Sequence, residues 1–431
     1  MSRSEEPRPQ RSGGGARPSL KGVHIIGVGQ IRFMKHRAET VRSMAEKATA
    51  LALLDAGLDR HDIEAVYFAN SLWGLHEGQH CLRGQVAMRA AGIDRVPVVN
   101  VESACAGGAV ALHLACVAVA AGLHDVVLAV GSEKMGWEDR EKLRAVFATG
   151  TDARQLEERL KEFRTLFPLV DPRRRGSTEP GRETSVFLEM YAALARWHMH
   201  TYGTTREHLA AVAAKNHLHG ALNPRAQYQQ AMTVEEILAD QEVAYPLTRA
   251  MCSPLGDGAA AVVVCSSTTL PRLGSARPVR VLASVHGQGS ERDLTGEDLC
   301  QRLGRTAYRQ AGVGPDDIDV AELHDATAYG ELRQTETLGF CPEGEGGPFA
   351  VSGATTLGGS IPVNPSGGME CRGHPVAATG LAQVHEIVTQ LRHEAGRRQV
   401  ENARVGLAVN LGGILGWEEA TGCVHVLARE A

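Results

Sequence analysis

Four short stretches of the 431-residue chain hold side chains whose type and setting suit catalysis. In Ser103-Ala104-Cys105-Ala106-Gly107-Gly108 a cysteine lies between a β-like run, "VPVVNV", and a long apolar helical pattern. A thiol at such a junction faces free backbone N–H groups and the positive end of a helix dipole, both of which lower its pKa and favour the nucleophilic thiolate. The flanking alanines and glycines leave room for a substrate. The bland alternative for Cys105 is a small side chain in a crowded core, since cysteine is commonly buried. His324 and Asp325 end the apolar run "IDVAEL", where α/β sheets place ligand-binding groups. His374 sits in the glycine-containing turn "RGHPVAATG" before a helix, and Asn410, Gly412 and Gly413 fall where the strand "VNLGG" enters a turn. Backbone N–H groups in such a turn are suited to bind an oxyanion. One histidine ending a strand is ordinarily a satisfied structural residue. A thiol, two imidazoles and an oxyanion donor, each at a strand or turn junction, are harder to dismiss as structural.

The elements that must position these groups follow from the hydrophobic pattern. From residue 22, "GVHIIGVG", "IEAVYFAN", "VPVVNVES" (read as a buried strand) and "DVVLAVGSE" read as strands. Helical patterns alternate with them, including "TVRSMAEKATALALLDAG", stopped by Gly57. This βαβαβαβ order predicts a sheet layered with helices. Residues 136–250 change character, with helical runs "VFLEMYAALARWHMHTYG" and "REHLAAVAAKNHLHG" around a charged polar loop, "RRRGSTEPGRET". The sheet pattern resumes at "GDGAAAVVVCSS", and the second half repeats the first in outline, through "IDVAELHDA" and "ARVGLAVNLGG" to "GCVHVLAR".

Composition narrows the classes. Net charge is −5 with both signs mixed, which argues against a nucleic-acid surface, and no apolar window is long enough to span a membrane. Nine cysteines are scattered without a Cys-x-x-Cys pair, so neither a metal site nor a disulfide framework is expected. Residues 1–21, rich in Arg, Ser, Gly and Pro, read as a disordered tail. A reduced, cytoplasmic enzyme is the expectation.

Taken in order, the four junctions resemble the motifs of the thiolase superfamily, and within it the sterol-carrier-protein-x (lipid-transfer) type. "SACAGG" resembles the nucleophile motif, and "HDATAYGEL" with the downstream "LGFCPEGEGG" resembles the His-Asp-Cys-Phe motif of that subgroup. "GGMECRGHPVAATGLAQ" resembles the Gly-His-Pro motif, and "CSPLGDGAAAVVV" and "KNHLHGALNPRAQY" are similar to family segments. The resemblance implies an α/β thiolase-like fold of two βαβαβαββ halves in five layers (αβαβα) with a mainly helical inserted loop domain. The parts would be an N-terminal half (22–135 and 251–270), the insert (136–250) and a C-terminal half (271–431). It also implies a homodimer or higher oligomer and an acyl-CoA or acyl-carrier thioester as substrate, with no cofactor beyond coenzyme A itself. Cys105 would take the acyl group, His374 would be its base, and His324 with His374 would hold the thioester oxygen of the second substrate. The N–H groups of Cys105 and Gly412 would form the oxyanion hole, with Asn410, Gly413 and Asp325 as further binding residues.

The chain departs from the family in its second thiol, the acid/base on the substrate α-carbon. The two positions where the family carries it are Asn410 and Ala326 here, and Ala377 replaces a usual glycine. Alanine moves no proton, and asparagine has no useful pKa. Cys371 and Cys341 are the nearest candidates for a relocated thiol, and His324 is an alternative. The leading expectation is an acyltransferase working through S-acyl-Cys105. The rivals are a C–C lyase, by 3-ketoacyl-CoA thiolysis or by retro-aldol cleavage with Tyr329 as acid/base, and a supporting subunit of a complex with an OB-fold or zinc-ribbon partner.

Overall fold

The structure is a computed structural model that describes residues 20–136, 140–165, 185–273 and 277–430. Most of the predicted tail and the loop "RRRGSTEPGRET" lie outside the described residues. The first half runs β1 (Val23–Gln30), α1 (Val41–Ala56), β2 (Ala65–Ala69), α2 (Trp73–Glu77), α3 (Arg83–Ala90), β3 (Val98–Val101), α4 (Gly107–Ala120) and β4 (Val126–Glu133). Among the described residues five helices follow: α5 (Arg140–Ala148), α6 (Leu156–Thr165), α7 (Val186–Tyr202), α8 (Arg206–Ala221) and α9 (Val234–Ala239). A small hairpin, β5 (Glu242–Ala244) and β6 (Leu247–Thr248), then leads to β7 (Gly258–Ser266), which rejoins the sheet. The second half is β8 (Val279–Gln288), α10 (Leu299–Ala311), β9 (Val320–Glu322), α11 (Ala328–Thr337), α12 (Gly346–Val351), α13 (Gly368–Arg372), α14 (Val376–Leu391), β10 (Val405–Gly412) and β11 (Thr421–Arg429).

The strands form one sheet in the order β3-β2-β4-β7-β1-β8-β11-β10-β9. The two halves meet where His24 and Ile25 of β1 pair with Arg280 and Val279 of β8. Within the first half the order is third, second, fourth, fifth, first. The second half reproduces it from its far edge, with Val363 in the third place as a single parallel bridge to Ala321 of β9. The predicted strand "IDVAELHDA" is therefore short, three residues, before the chain turns away.

Burial explains the layers. β4 is buried along its whole length, as a strand covered on both faces must be. On its outer side Leu128 and Val130 pack with Met44, Ala48 and Ala52 of α1. On its inner side Val127 and Ala129 share a core with Leu112 of α4 and Leu381 of α14. α4 is apolar along most of its length and largely buried, as a helix lying between two sheet layers must be, with Val117 near its end exposed. Leu299 and Leu303 of α10 cover Leu407, Val409 and Val424 on the remaining face. The result is five layers, helix, half-sheet, helix pair, half-sheet, helix, in which the two halves of the one continuous sheet supply both sheet layers. One expectation is corrected: β3 is an edge strand with Val99 44% exposed, not a buried strand.

Candidate active site

Three chain segments converge on Cys105. β3 passes through Ala104, at a positive φ of 45°, into a tight turn that opens α4. A Cβ on Gly108 would stand 2.6 Å from the carbonyl oxygen of Ala377, and one on Gly380 would stand 2.6 Å from the nitrogen of Ala109. The small residues after Cys105 thus admit the backbone of α14, and not a substrate as the sequence suggested. The end of β10 is equally close, because a Cβ on Gly412 would lie 2.7 Å from the nitrogen of Cys105.

Cys105, His324, His374, Gly412 and Gly413 all line one cavity of about 440 Å³. The two imidazoles meet edge to face, with centroids 5.6 Å apart and planes at 81°. Their hydrogen bonds assign them opposite protonation patterns. Nδ1 of His374 is 2.8 Å from the Thr379 hydroxyl, which donates its own proton to the carbonyl of Pro375 at 3.1 Å. The hydroxyl can then only accept, so His374 carries its proton on Nδ1 and its lone pair on Nε2. Nδ1 of His324 accepts from the amide of Asn410 at 3.2 Å, which leaves Nε2 of His324 protonated. One ring is a base and the other a donor. Asn410 itself does not line the cavity; it positions His324.

Enclosure governs the electrostatics. Burial, aided by Arg372, lowers His374 to about 3. Burial and then the neighbouring His374 hold His324 well below the usual imidazole value. Cys105 faces the cavity but is walled by protein, and burial pushes its thiol up to about 12 against the pull of the Gly413 N–H and its own. The expected lowering by the helix terminus is therefore outweighed by desolvation. The resting site is a neutral thiol beside neutral imidazoles. A second N–H near the sulfur is that of Gly413, and Gly412 packs directly against the backbone of Cys105.

Asp325 is corrected as well. It lies outside the cavity, fully buried, and accepts from the N–H groups of Met369 at 2.8 Å and Glu370 at 3.2 Å and from Asn216 at 3.3 Å. It fastens the short helix α13 that delivers His374, and so acts as a positioning residue. Of the other candidates, Cys371 packs against Gly220, Cys341 lies 3.8 Å from the Thr335 hydroxyl, and Tyr329 lines a separate cavity with Arg333 and Trp197.

Sequence reasoning missed two features. Cys252 lines the cavity, and its strand-like segment runs antiparallel to the segment of Ala326. Cys252 bridges Thr327, and the N–H of Ser253 donates to the carbonyl of Ala326 at 3.0 Å. A second thiol thus stands beside the position where the subgroup's motif would carry one; its Sγ donates to the carbonyl of Thr248 at 3.3 Å. The other feature is a buried pair, in which Tyr191 donates to Glu419 at 2.9 Å. No sequence spacing links either feature to Cys105.

With this geometry described, comparison with known proteins assigns the chain. Residues 23–268 match the thiolase N-terminal domain family and residues 283–428 the thiolase C-terminal domain-like family. An acetyl-CoA acetyltransferase of Methanothermobacter thermautotrophicus is 39% identical over 420 residues, 95% of this chain and 100% of that protein. The benzoylsuccinyl-CoA thiolase subunit BbsB of Thauera aromatica is 35% identical, covering 88% and 91% of the two chains. Sterol carrier protein 2 of Rattus norvegicus is 34% identical over 92% of this chain and 70% of its own length. Among solved structures, an Ltp2-ChsH2(DUF35) aldolase superposes with a TM-score of 0.74 at 24% identity, covering 95% and 98%. That likeness speaks for the fold. The chain belongs to the thiolase superfamily, among its sterol-carrier-protein-type members.

Proposed function

We propose that this protein is a thiolase-like acyltransferase that takes an acyl group from acyl-CoA, or a carrier thioester, onto Cys105 and passes it to an acceptor. The observation that supports it most is the opposed protonation of His374 and His324 beside a thiol that faces two N–H groups. As the sulfur attacks the thioester carbonyl, Nε2 of His374 takes the thiol proton. The N–H groups of Cys105 and of the Gly412–Gly413 turn are then suited to receive the developing oxyanion. Collapse expels the coenzyme A thiolate, which recovers that proton from His374, leaving the acyl group on Cys105 and both groups neutral again. Nε2–H of His324 is suited to hold the carbonyl oxygen of the acceptor thioester. No cofactor beyond the coenzyme A thioester is invoked.

Cys252 favours carbon–carbon chemistry within this reading. In thiolysis of a 3-ketoacyl-CoA, Cys105 attacks the keto carbon and the bond to the α-carbon breaks. Cys252 then protonates the departing carbanion and is reprotonated by the incoming coenzyme A thiol. Burial keeps the Cys252 thiol neutral, the form an acid needs. The exposed edge strand β3 supports pairing with a second copy, and the unpaired cysteines support a reducing, cytoplasmic setting. A small partner protein is a further proposal, in keeping with the aldolase complex of the same fold.

Intact-protein mass spectrometry after incubation with acetyl-CoA and longer acyl-CoAs tests the reading. A gain of one acyl group that is absent in Cys105→Ala is expected. No gain with any donor would refute it, and carbon–carbon cleavage that persists in Cys105→Ala would favour a retro-aldol lyase. Cys252→Ala is expected to lower ketoacyl thiolysis about 10²-fold more than it lowers acyl exchange with free coenzyme A.

A further inference from the structure

Two adjacent glutamates occupy the turn between β10 and β11, and their settings differ. Glu418 is saturated: it accepts from the backbone and hydroxyl of Ser290 and from the N–H of Leu299 at 2.6 Å, and it pairs with Arg302 at 3.1 Å and Arg292 at 3.4 Å. Glu419 forms no ion pair among the described residues. Its carboxylate accepts from Tyr191 at 2.9 Å, and both side chains line the cavity that holds Cys105. Burial raises Glu419 to about 7, against the pull of its own N–H and of Tyr191.

The pair lies close to the turn that flanks the nucleophile. The N–H of Ala420 donates to the carbonyl of Gly413 at 3.3 Å, so Glu419 is the residue next to the partner of the oxyanion donor. The neighbouring wall is apolar, formed by Val146, Phe147, Phe187 and Leu188. An acyl chain on Cys105 would run through an apolar slot to a polar end. A carboxyl facing such a slot is costly unless it is used. With the Tyr191 proton already donated, the phenol oxygen and, in the ionised form of Glu419, the carboxylate oxygens present acceptors to the cavity. The matching substrate group is a hydrogen-bond donor, and the ionised form of Glu419 would repel a second carboxylate.

We infer that the Tyr191–Glu419 pair is a specificity site for a hydroxyl group a few carbons along the acyl chain, so that Cys105 accepts short hydroxyacyl thioesters in preference to plain or carboxylated ones. This inference rests on the acyl-transfer reading above. Its test compares initial rates of Cys105 labelling, by intact mass, with butyryl-CoA, β- and γ-hydroxybutyryl-CoA and succinyl-CoA. One hydroxybutyryl thioester should label the wild type at least about 10-fold faster than butyryl-CoA. That ratio should fall to about one in Tyr191→Phe and Glu419→Leu and to an intermediate value in the isosteric Glu419→Gln. A purely structural pair would change all rates together and leave the ratio unmoved. A ratio near one in the wild type, an unmoved ratio in the variants, or preference for succinyl-CoA would each overturn this inference alone. Labelling by none of the thioesters would overturn it together with the acyl-transfer reading.

Discussion

Cys105 and His374 occupy equivalent places, each just before the helix that leads to the fourth strand position of its half, and their two helices, α4 and α14, pack backbone to backbone. The two junctions are built differently. Around Cys105 the chain is alanine and glycine, and the groups aimed at the sulfur are backbone N–H. Around His374 the support is a buried polar web: Thr379 on the ring, Asp325 on the N–H groups of α13, and Ser366 with Arg372 on Glu322. A nucleophile needs only a fixed position and an oxyanion donor, and a backbone supplies both. An imidazole must also have its tautomer chosen, which takes a side chain with a committed proton.

The largest test of that comparison is the nucleophile itself. Cys105→Ala should lower acyl transfer by about 10⁴-fold or more, with folding retained in near-UV circular dichroism. His374→Ala should lower the labelling rate of Cys105 by about 10³-fold, read by rapid-quench mass spectrometry. Asp325→Ala strips the acceptor from the buried N–H groups of Met369 and Glu370 and should cost about 2 kcal/mol of stability, measured by urea unfolding. Thr379→Val removes the hydroxyl that sets the His374 tautomer and should slow labelling about 10-fold without changing the unfolding midpoint by a comparable amount. The smallest effect is in pH. Because the Cys105 thiol is pushed up to about 12, its alkylation by iodoacetamide should climb about tenfold per unit through neutral and mildly alkaline pH. A plateau near neutrality would show that the helix end outweighs burial.

The four junctions were legible because each is local: a reactive residue, a breaker and a hydrophobic run within about ten positions. The alternation of strands and helices was legible for the same reason. What was hidden depends on segments far apart in sequence. Cys252 reaches the cavity through a bridge to Thr327, and Glu419 through a bond to Tyr191. Asp325 stands beside a cavity residue in sequence yet points into the scaffold, because the chain turns sharply after the three-residue β9. The exposure of β3 was hidden because apolar residues at a free sheet edge look the same as those in a core. The direction of the Cys105 shift was misread because a helix terminus is visible in sequence, whereas the depth of the cavity wall is not.

The central claim is that Cys105, and no other thiol of the cavity, carries the acyl group. Isotopically labelled acetyl-CoA, an acid quench and peptide mapping of the unmodified enzyme test it directly. The account predicts one labelled peptide, spanning Cys105, with the label released by hydroxylamine as a thioester. Label on the Cys252 peptide, or turnover with no labelled cysteine, would contradict it.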